Sequence, residues 1–206
     1  MTRQLRGLLP VEALALVGIA LIPWPEQLPL ALPLVVVATL SRYVRGRSWA
    51  DVAHAPAGAA SLGALAGAAA LAIAVVAGTP LLEGVAGRAI EWSEHPIVRG
   101  SGARLAVVAL QVAVAALAYE LALRGWVVER LLELVPDRAA AAIAGGALAE
   151  ALVTPGDLAA RAGAFVFGAG LGGMYVAAGR NVVVSVSARA TFAAGVVLLE
   201  AVHAIG

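Results

Sequence analysis

The chain contains no cysteine and no lysine among its 206 residues. Without cysteine there is no disulfide framework, no thiolate metal site and no cysteine nucleophile. Without lysine there is no Schiff-base chemistry and no serine–lysine dyad; all fourteen basic residues are arginine. Charge of either sign is scarce, 13% of residues against about 25% in an ordinary soluble domain. The net charge is +1 and the arginines are scattered, so the basic footprint of a nucleic-acid binder is missing. Of the three histidines, His54 and His95 fall in loops with no ligand-spaced neighbours, and neither H-E-x-x-H nor G-x-S-x-G occurs. What is abundant is apolar surface: 62% of residues are hydrophobic and the mean hydropathy is +0.93. This composition describes an all-α polytopic membrane protein whose first partner is the lipid bilayer.

A membrane-crossing helix needs about 20 mostly apolar residues, with about 17–25 the usual range. Seven segments approach this: about Leu8–Ile22, Leu28–Val44, Ala57–Leu82, Leu105–Arg124, Ala139–Val153, Leu158–Ala178 and Val182–Ile205. The first and fifth are short enough to be re-entrant. The amino terminus superficially resembles a signal peptide, but Glu12 interrupts it and Ile22-Pro23-Trp24-Pro25 offers no small-x-small cleavage site, so a retained first span is expected. The longest loop is the polar stretch Glu83–Arg104, with Glu91, Glu94, His95 and Arg99. Trp126–Val135 carries Glu129, Arg130 and Glu133 among valines and leucines, the pattern of an interfacial amphipathic extension. Asp137 is placed to cap the fifth span, and Asp157, in the Thr154-Pro155-Gly156-Asp157 turn, to cap the sixth. The domain organisation expected is 1–46 as N-terminal transmembrane helices, 47–104 as the third helix with the polar loop, and 105–206 as a four-helix core.

Arginine placement sets the expected orientation, since cytoplasmic loops collect positive charge. With the N-terminus inside, Arg3, Arg6, Arg42, Arg45, Arg47, Arg124, Arg130, Arg138 and Arg180 lie on the inner side. Arg88, Arg99, Arg104 and Arg161 lie outside, and Arg189 falls within a span. Nine against four gives a cytoplasmic N-terminus and an outer C-terminus.

Gly63 with Gly67, and Gly168 with Gly172, are small-xxx-small spacings that let helices approach in lipid. Gly168-Ala169-Gly170-Leu171-Gly172-Gly173 formally matches a dinucleotide fingerprint, but it lies inside an apolar helical run with no preceding strand, and reads as packing. Glu200-Ala201-Val202-His203 has the Glu-x-x-His spacing of di-metal bundles in a single copy, where such sites use two. The informative charges are those inside spans. Glu120 and Arg124 stand one helical turn apart, glutamate first, the better order for an ion pair. Glu150 and Arg189 lie well inside the fifth and seventh spans, where each charge costs about 2.5–3.5 kcal/mol on insertion scales. A Glu150–Arg189 pair is the economical expectation.

These residues fall in a recognisable order. Tyr119-Glu120-Leu121-Ala122-Leu123-Arg124-Gly125 resembles a Glu-Glu-x-x-x-Arg-Gly motif with the first Glu replaced. Gly146-Ala147-Leu148-Ala149-Glu150 stands where a Phe-x-x-x-His motif would, with Glu150 at the His position. Phe165-Val166-Phe167-Gly168 through Gly179-Arg180-Asn181 looks like an aromatic–glycine helix and its closing turn. Arg189-Ala190-Thr191-Phe192-Ala193 resembles a His-Ala-Thr-Phe-Asn context with both functional residues changed, and Ser48-Trp49-Ala50-Asp51 resembles a pre-core segment. Over roughly residues 40–200, and best over 105–195, the chain resembles the CPBP intramembrane metalloproteases, the CAAX-type prenyl protease, bacteriocin-processing and self-immunity group also called the Abi family.

The resemblance implies hydrolysis of a peptide bond within the membrane, a water activated by motif Glu and His residues with metal involvement, and an oxyanion held by the last His and Asn. Glu120 and Arg124 carry over. Tyr119, Glu150, Arg189 and Ala193 depart from the pattern. A tyrosine of ordinary pKa near 10 is no carboxylate base at neutral pH; arginine has no lone pair for a metal; Ala193 offers no oxyanion donor. The function expected is therefore a catalytically inactive, binding or regulatory membrane protein with no cofactor. The alternatives are an active intramembrane endopeptidase using a divalent metal such as zinc on a membrane peptide or prenylated protein, with Glu120, Glu150 and His203 in altered roles, and a small transporter or permease.

Overall fold

The computed structural model of the protein describes residues 9–22, 31–54, 56–87, 98 and 101–202. Among these the fold is all-helical, with no strand. The helices are α1 (Leu9–Leu21), α2 (Ala31–Val44), α3 (Ala59–Ile73), α4 (Thr79–Ala86), α5 (Gly102–Ala122), α6 (Glu129–Leu134), α7 (Ala139–Val153), α8 (Leu158–Ala177) and α9 (Val182–Ala201). A 3-10 turn covers Trp49–Asp51. Two π-helical turns, Ala74–Gly78 and Leu123–Val128, join α3 to α4 and α5 to α6 without a break. Glu91, Glu94, His95, Arg99 and His203 lie outside the described residues.

Three helical stretches are long and apolar enough to cross a membrane: Ala59–Leu81, Gly102–Leu134 and Val182–Ala201. Helices α1, α2 and α7 have 13, 14 and 15 residues, so at a rise of 1.5 Å per residue they reach only about 20–23 Å. Helix α8 has 20 residues, but Arg161 and five glycines dilute its apolar character. Val107, Leu110, Val114 and Leu117 recur at helical spacing along α5, each 46–67% exposed. Such a stripe would be a liability in water and is compatible with a lipid-facing surface.

The chain divides into two compact units, each drawn from two stretches: Met1–His54 with Ala118–Val182, and Ala55–Leu117 with Val183–Gly206. Unit 1 is built around an apolar cluster of Ile19, Leu34, Ala38, Ala122, Trp126 and Val153, with α7 and α8 as its most extensive helix pair. Unit 2 has a smaller cluster of Val98, Val108 and Val197. Its helices α3 and α9 approach so closely that a Cβ on Gly63 would stand within 3.0 Å of the Val184 carbonyl, and one on Gly67 within 3.0 Å of the Ala188 carbonyl. The first small-xxx-small spacing is thus a backbone-to-backbone contact.

The stretch Trp126–Val135, expected as an interfacial amphipathic extension, continues the helix to Leu134, with Trp126, Val128, Glu129, Arg130 and Leu132 all 8% exposed or less. Its charges can be buried because Glu12 on α1, Arg45 just past α2 and Arg180 just past α8 supply counter-charges. Asp137 does not cap α7; the helix starts at Ala139 after Arg138, with no side-chain cap. Asp157 does cap α8, accepting from the Ala160 amide at 3.0 Å.

Gly67→Val should lower stability in detergent by about 1–3 kcal/mol, because the obstacle is backbone rather than a movable side chain. Gly18→Ala, where a Cβ meets nothing within 4 Å, should be neutral or raise stability by about 0.5–1 kcal/mol. Thermal unfolding of the two purified variants checks both.

Candidate functional site

The site grows from a register shift. Apolar residues carry α5 to Ala122, and the π-helical turn Leu123–Val128 then inserts a wider loop of backbone, a feature that recurs at functional positions. Arg124 is its second residue and is 0% exposed. A guanidinium cannot lose its charge, so burial demands partners for its donors. Three segments of unit 1 supply them. Nε lies 3.4 Å from Glu120 Oε2, one turn back on α5. Nη1 lies 2.7 Å from Glu150 Oε2 on α7. Nη2 donates to the Gly168 carbonyl on α8 at 2.6 Å. Glu120 and Glu150 are 0% and 3% exposed.

Gly168 contributes twice. Its carbonyl accepts from Arg124, and its missing side chain leaves room for the Glu150 carboxylate: a Cβ there would stand 2.6 Å from Glu150 Oε2. The glycine-rich run is helical throughout, inside α8. Gly125 has a comparable reason. A Cβ on it would stand 2.9 Å from the Trp49 ring, and that ring carries the Arg42 guanidinium 4.7 Å above its centroid. Arg42 Nη1 donates to the Gly125 carbonyl at 2.6 Å, and its Nη2 donates to the Ser48 carbonyl.

The structure brings Glu120, Arg124 and Glu150 together in unit 1. Tyr119, half-buried, packs instead against the apolar cluster of Ile19, Leu34 and Trp126. Arg189 and Ala193 lie one turn apart on α9 in unit 2, both half-buried. Within unit 1 the guanidinium at Glu150 is Arg124; Arg189, expected from sequence as its partner, belongs to unit 2.

Two further polar clusters of unit 1 were missed from sequence. Glu12 on α1 meets Arg130 Nε at 2.8 Å, accepts from Ser41, and lies 3.6 Å from Arg45. Glu133 lies 2.9 Å from Arg130 and 3.1 Å from Arg45, and Trp126 Nε1 donates to Ser41 at 2.9 Å. The second cluster is Glu129, which accepts from Tyr175 Oη at 2.6 Å and from the Arg180 guanidinium. Hydrogen bonding to Glu129 holds Arg180 above the ordinary guanidinium pKa. The only sequence signal for either cluster was charge at the ends of apolar runs.

The residues do not fit a catalytic metal. Both carboxylates that could ligate it face one guanidinium, so a dication there would sit against a fixed positive charge. Among the described residues no three His, Asp or Glu side chains gather closely enough to hold an ion. What the arrangement can do is join three helical segments through one cation. No family model, no curated protein and no solved structure matches the chain.

Arg124→Met should cost about 3–5 kcal/mol, because it removes the shared cation of two buried ion pairs. The triple variant Glu120→Leu/Arg124→Met/Glu150→Leu should cost less than Arg124→Met alone, since the two carboxylates leave together with their shared cation. Gly168→Ala should cost about 1–3 kcal/mol while Gly170→Ala, with nothing within 4 Å of its added Cβ, stays within about 0.5 kcal/mol of the parent. Denaturation midpoints in one detergent rank all four.

Proposed function

We propose that this chain is an integral membrane protein of the CPBP type in which the hydrolytic centre has become a structural ion-pair centre, leaving a binding or regulatory component of the bilayer. The observation that carries this reading is the Arg124 guanidinium set between Glu120 and Glu150, the two acidic residues at motif positions. A carboxylate that activates water, or ligates a metal, needs an oxygen turned to the reacting centre; here both acids turn an oxygen to a permanent cation. Tyr119, at the position of the missing motif glutamate, packs into apolar surroundings.

In this reading the three long helices cross the bilayer, and α1, α2, α7 and α8 complete about seven membrane segments, the short ones re-entrant or tilted against their neighbours. The N-terminus is cytoplasmic and the C-terminus outside, as the arginine tally indicates. The partner is a membrane peptide or protein.

Purified protein should resist alkaline carbonate extraction from membranes, carry no stoichiometric divalent metal, and leave a membrane-embedded peptide and a prenylated peptide uncut. One metal per chain together with cleavage abolished by Glu120→Gln would restore the peptidase reading and overturn this one.

A further inference from the structure

The turn between α8 and α9 holds the one residue other than glycine, among those described, with a left-handed backbone: Arg180 at φ 65°, directly after Gly179 at φ 73°. Glycine takes this conformation freely. In arginine the Cβ crowds the following carbonyl, and the side chain has no short polar group to bond its own backbone as Asn and Asp do. An outlier of this kind persists only where its surroundings over-determine it.

The surroundings do so here. Arg180 Nε donates to Glu129 Oε1 at 2.6 Å and Nη2 donates to Glu129 Oε2, a two-toothed fork matched to a carboxylate. Glu129 is 8% exposed and also accepts from Tyr175 Oη at 2.6 Å, on a side chain with no exposure at all. The amides of Arg180 and Asn181 both donate to the Tyr175 carbonyl, at 2.9 and 3.3 Å, closing the end of α8. The next amide, Val182, begins α9 and donates to the Val52 carbonyl at 2.8 Å. Val182 is also the last residue of unit 1 before the chain passes to unit 2.

We propose that Gly179–Asn181 is a strained latch: the Arg180–Glu129 fork holds a left-handed residue whose relaxation would withdraw the first amide of α9 from Val52. The Arg180 side chain is 49% exposed while that of Glu129 is 10% exposed. The latch therefore opens by one arginine swinging out, with Glu129 and Tyr175 still bonded to each other. It does not depend on the functional reading given above.

Amide hydrogen exchange on the full chain in detergent tests it, with Arg180→Ala, Arg180→Gly and Glu129→Gln compared to the parent. Arg180→Ala removes the fork and keeps the strain, so exchange at Asn181 and Val182 should quicken by about tenfold or more. Arg180→Gly removes both, and should recover about fivefold of that loss because glycine meets no penalty at φ 65°. Glu129→Gln keeps the acceptor for Tyr175 and removes the charge, and should reproduce the local change of Arg180→Ala. Unchanged exchange in Arg180→Ala, equal exchange in the Ala and Gly variants, or acceleration spread over α5 and α7 would each overturn the latch.

Discussion

A guanidinium without access to water is the constraint on which unit 1 depends. Arg124 cannot neutralise itself as a buried glutamate or lysine can, so every arrangement of the surrounding helices must bring oxygen to its donors. Glu120 is supplied by helical periodicity alone. Glu150 and the Gly168 carbonyl come from other segments, and they fix the rotation of α7 and the depth of α8 against the π-helical turn. An apolar bundle in lipid has little hydrophobic force to choose one helix register over another. A buried cation held by one hydrogen bond and two ion pairs makes that choice. Small residues then permit what the cation requires, since any side chain at Gly168 would push the Glu150 carboxylate away.

The same logic explains why Arg124-Gly125 sits in a π-helical turn. Within this turn the Gly125 carbonyl accepts from Arg42, which also donates to the Ser48 carbonyl while stacking on Trp49. Two arginines, on different elements, thus take backbone carbonyls as acceptors. Carbonyl oxygens bring partial negative charge without a second formal charge to bury, which favours them over further carboxylates at low dielectric.

Apolar runs and their punctuation made the helices legible: Ala139–Val153 has the same bounds in sequence and structure, and Asp157 caps α8 from the sequence position that suggested it. These features depend on residues within a few positions of each other. The partners of the buried charges were not legible. Glu150 meets Arg124 from another helix, and nothing within α7 records the rotation that brings the two together. Glu129, Arg130 and Glu133 read as part of an interfacial amphipathic extension, since a short charge run on an apolar element is the usual mark of an interface. Their burial becomes readable only with Glu12, Arg45, Tyr175 and Arg180 in place, and those lie tens of residues away or more. The Gly168 carbonyl has no sequence signature, as every residue carries one.

Charge consumed inside the fold also changes what the arginine tally means. Of the nine arginines assigned to the inner side, Arg42, Arg124 and Arg130 are 4% exposed or less, and the Arg45 side chain is 2% exposed. Arg47, Arg138 and Arg180 are the ones that still present charge at the surface among the described residues. A count taken from the folded protein would leave a far smaller bias. The positive-inside bias, however, acts on each loop and helix end as the segment inserts, before Glu12 has met Arg130 or Glu150 has met Arg124. An arginine at a segment end can therefore serve in succession, first biasing which side of a membrane that end takes and then, once neighbouring helices dock, supplying a cation around which they pack. An all-arginine cation set suits both uses. A lysine could be deprotonated on burial and lose its partner, whereas a guanidinium keeps its charge and its fixed fork from insertion to the folded state.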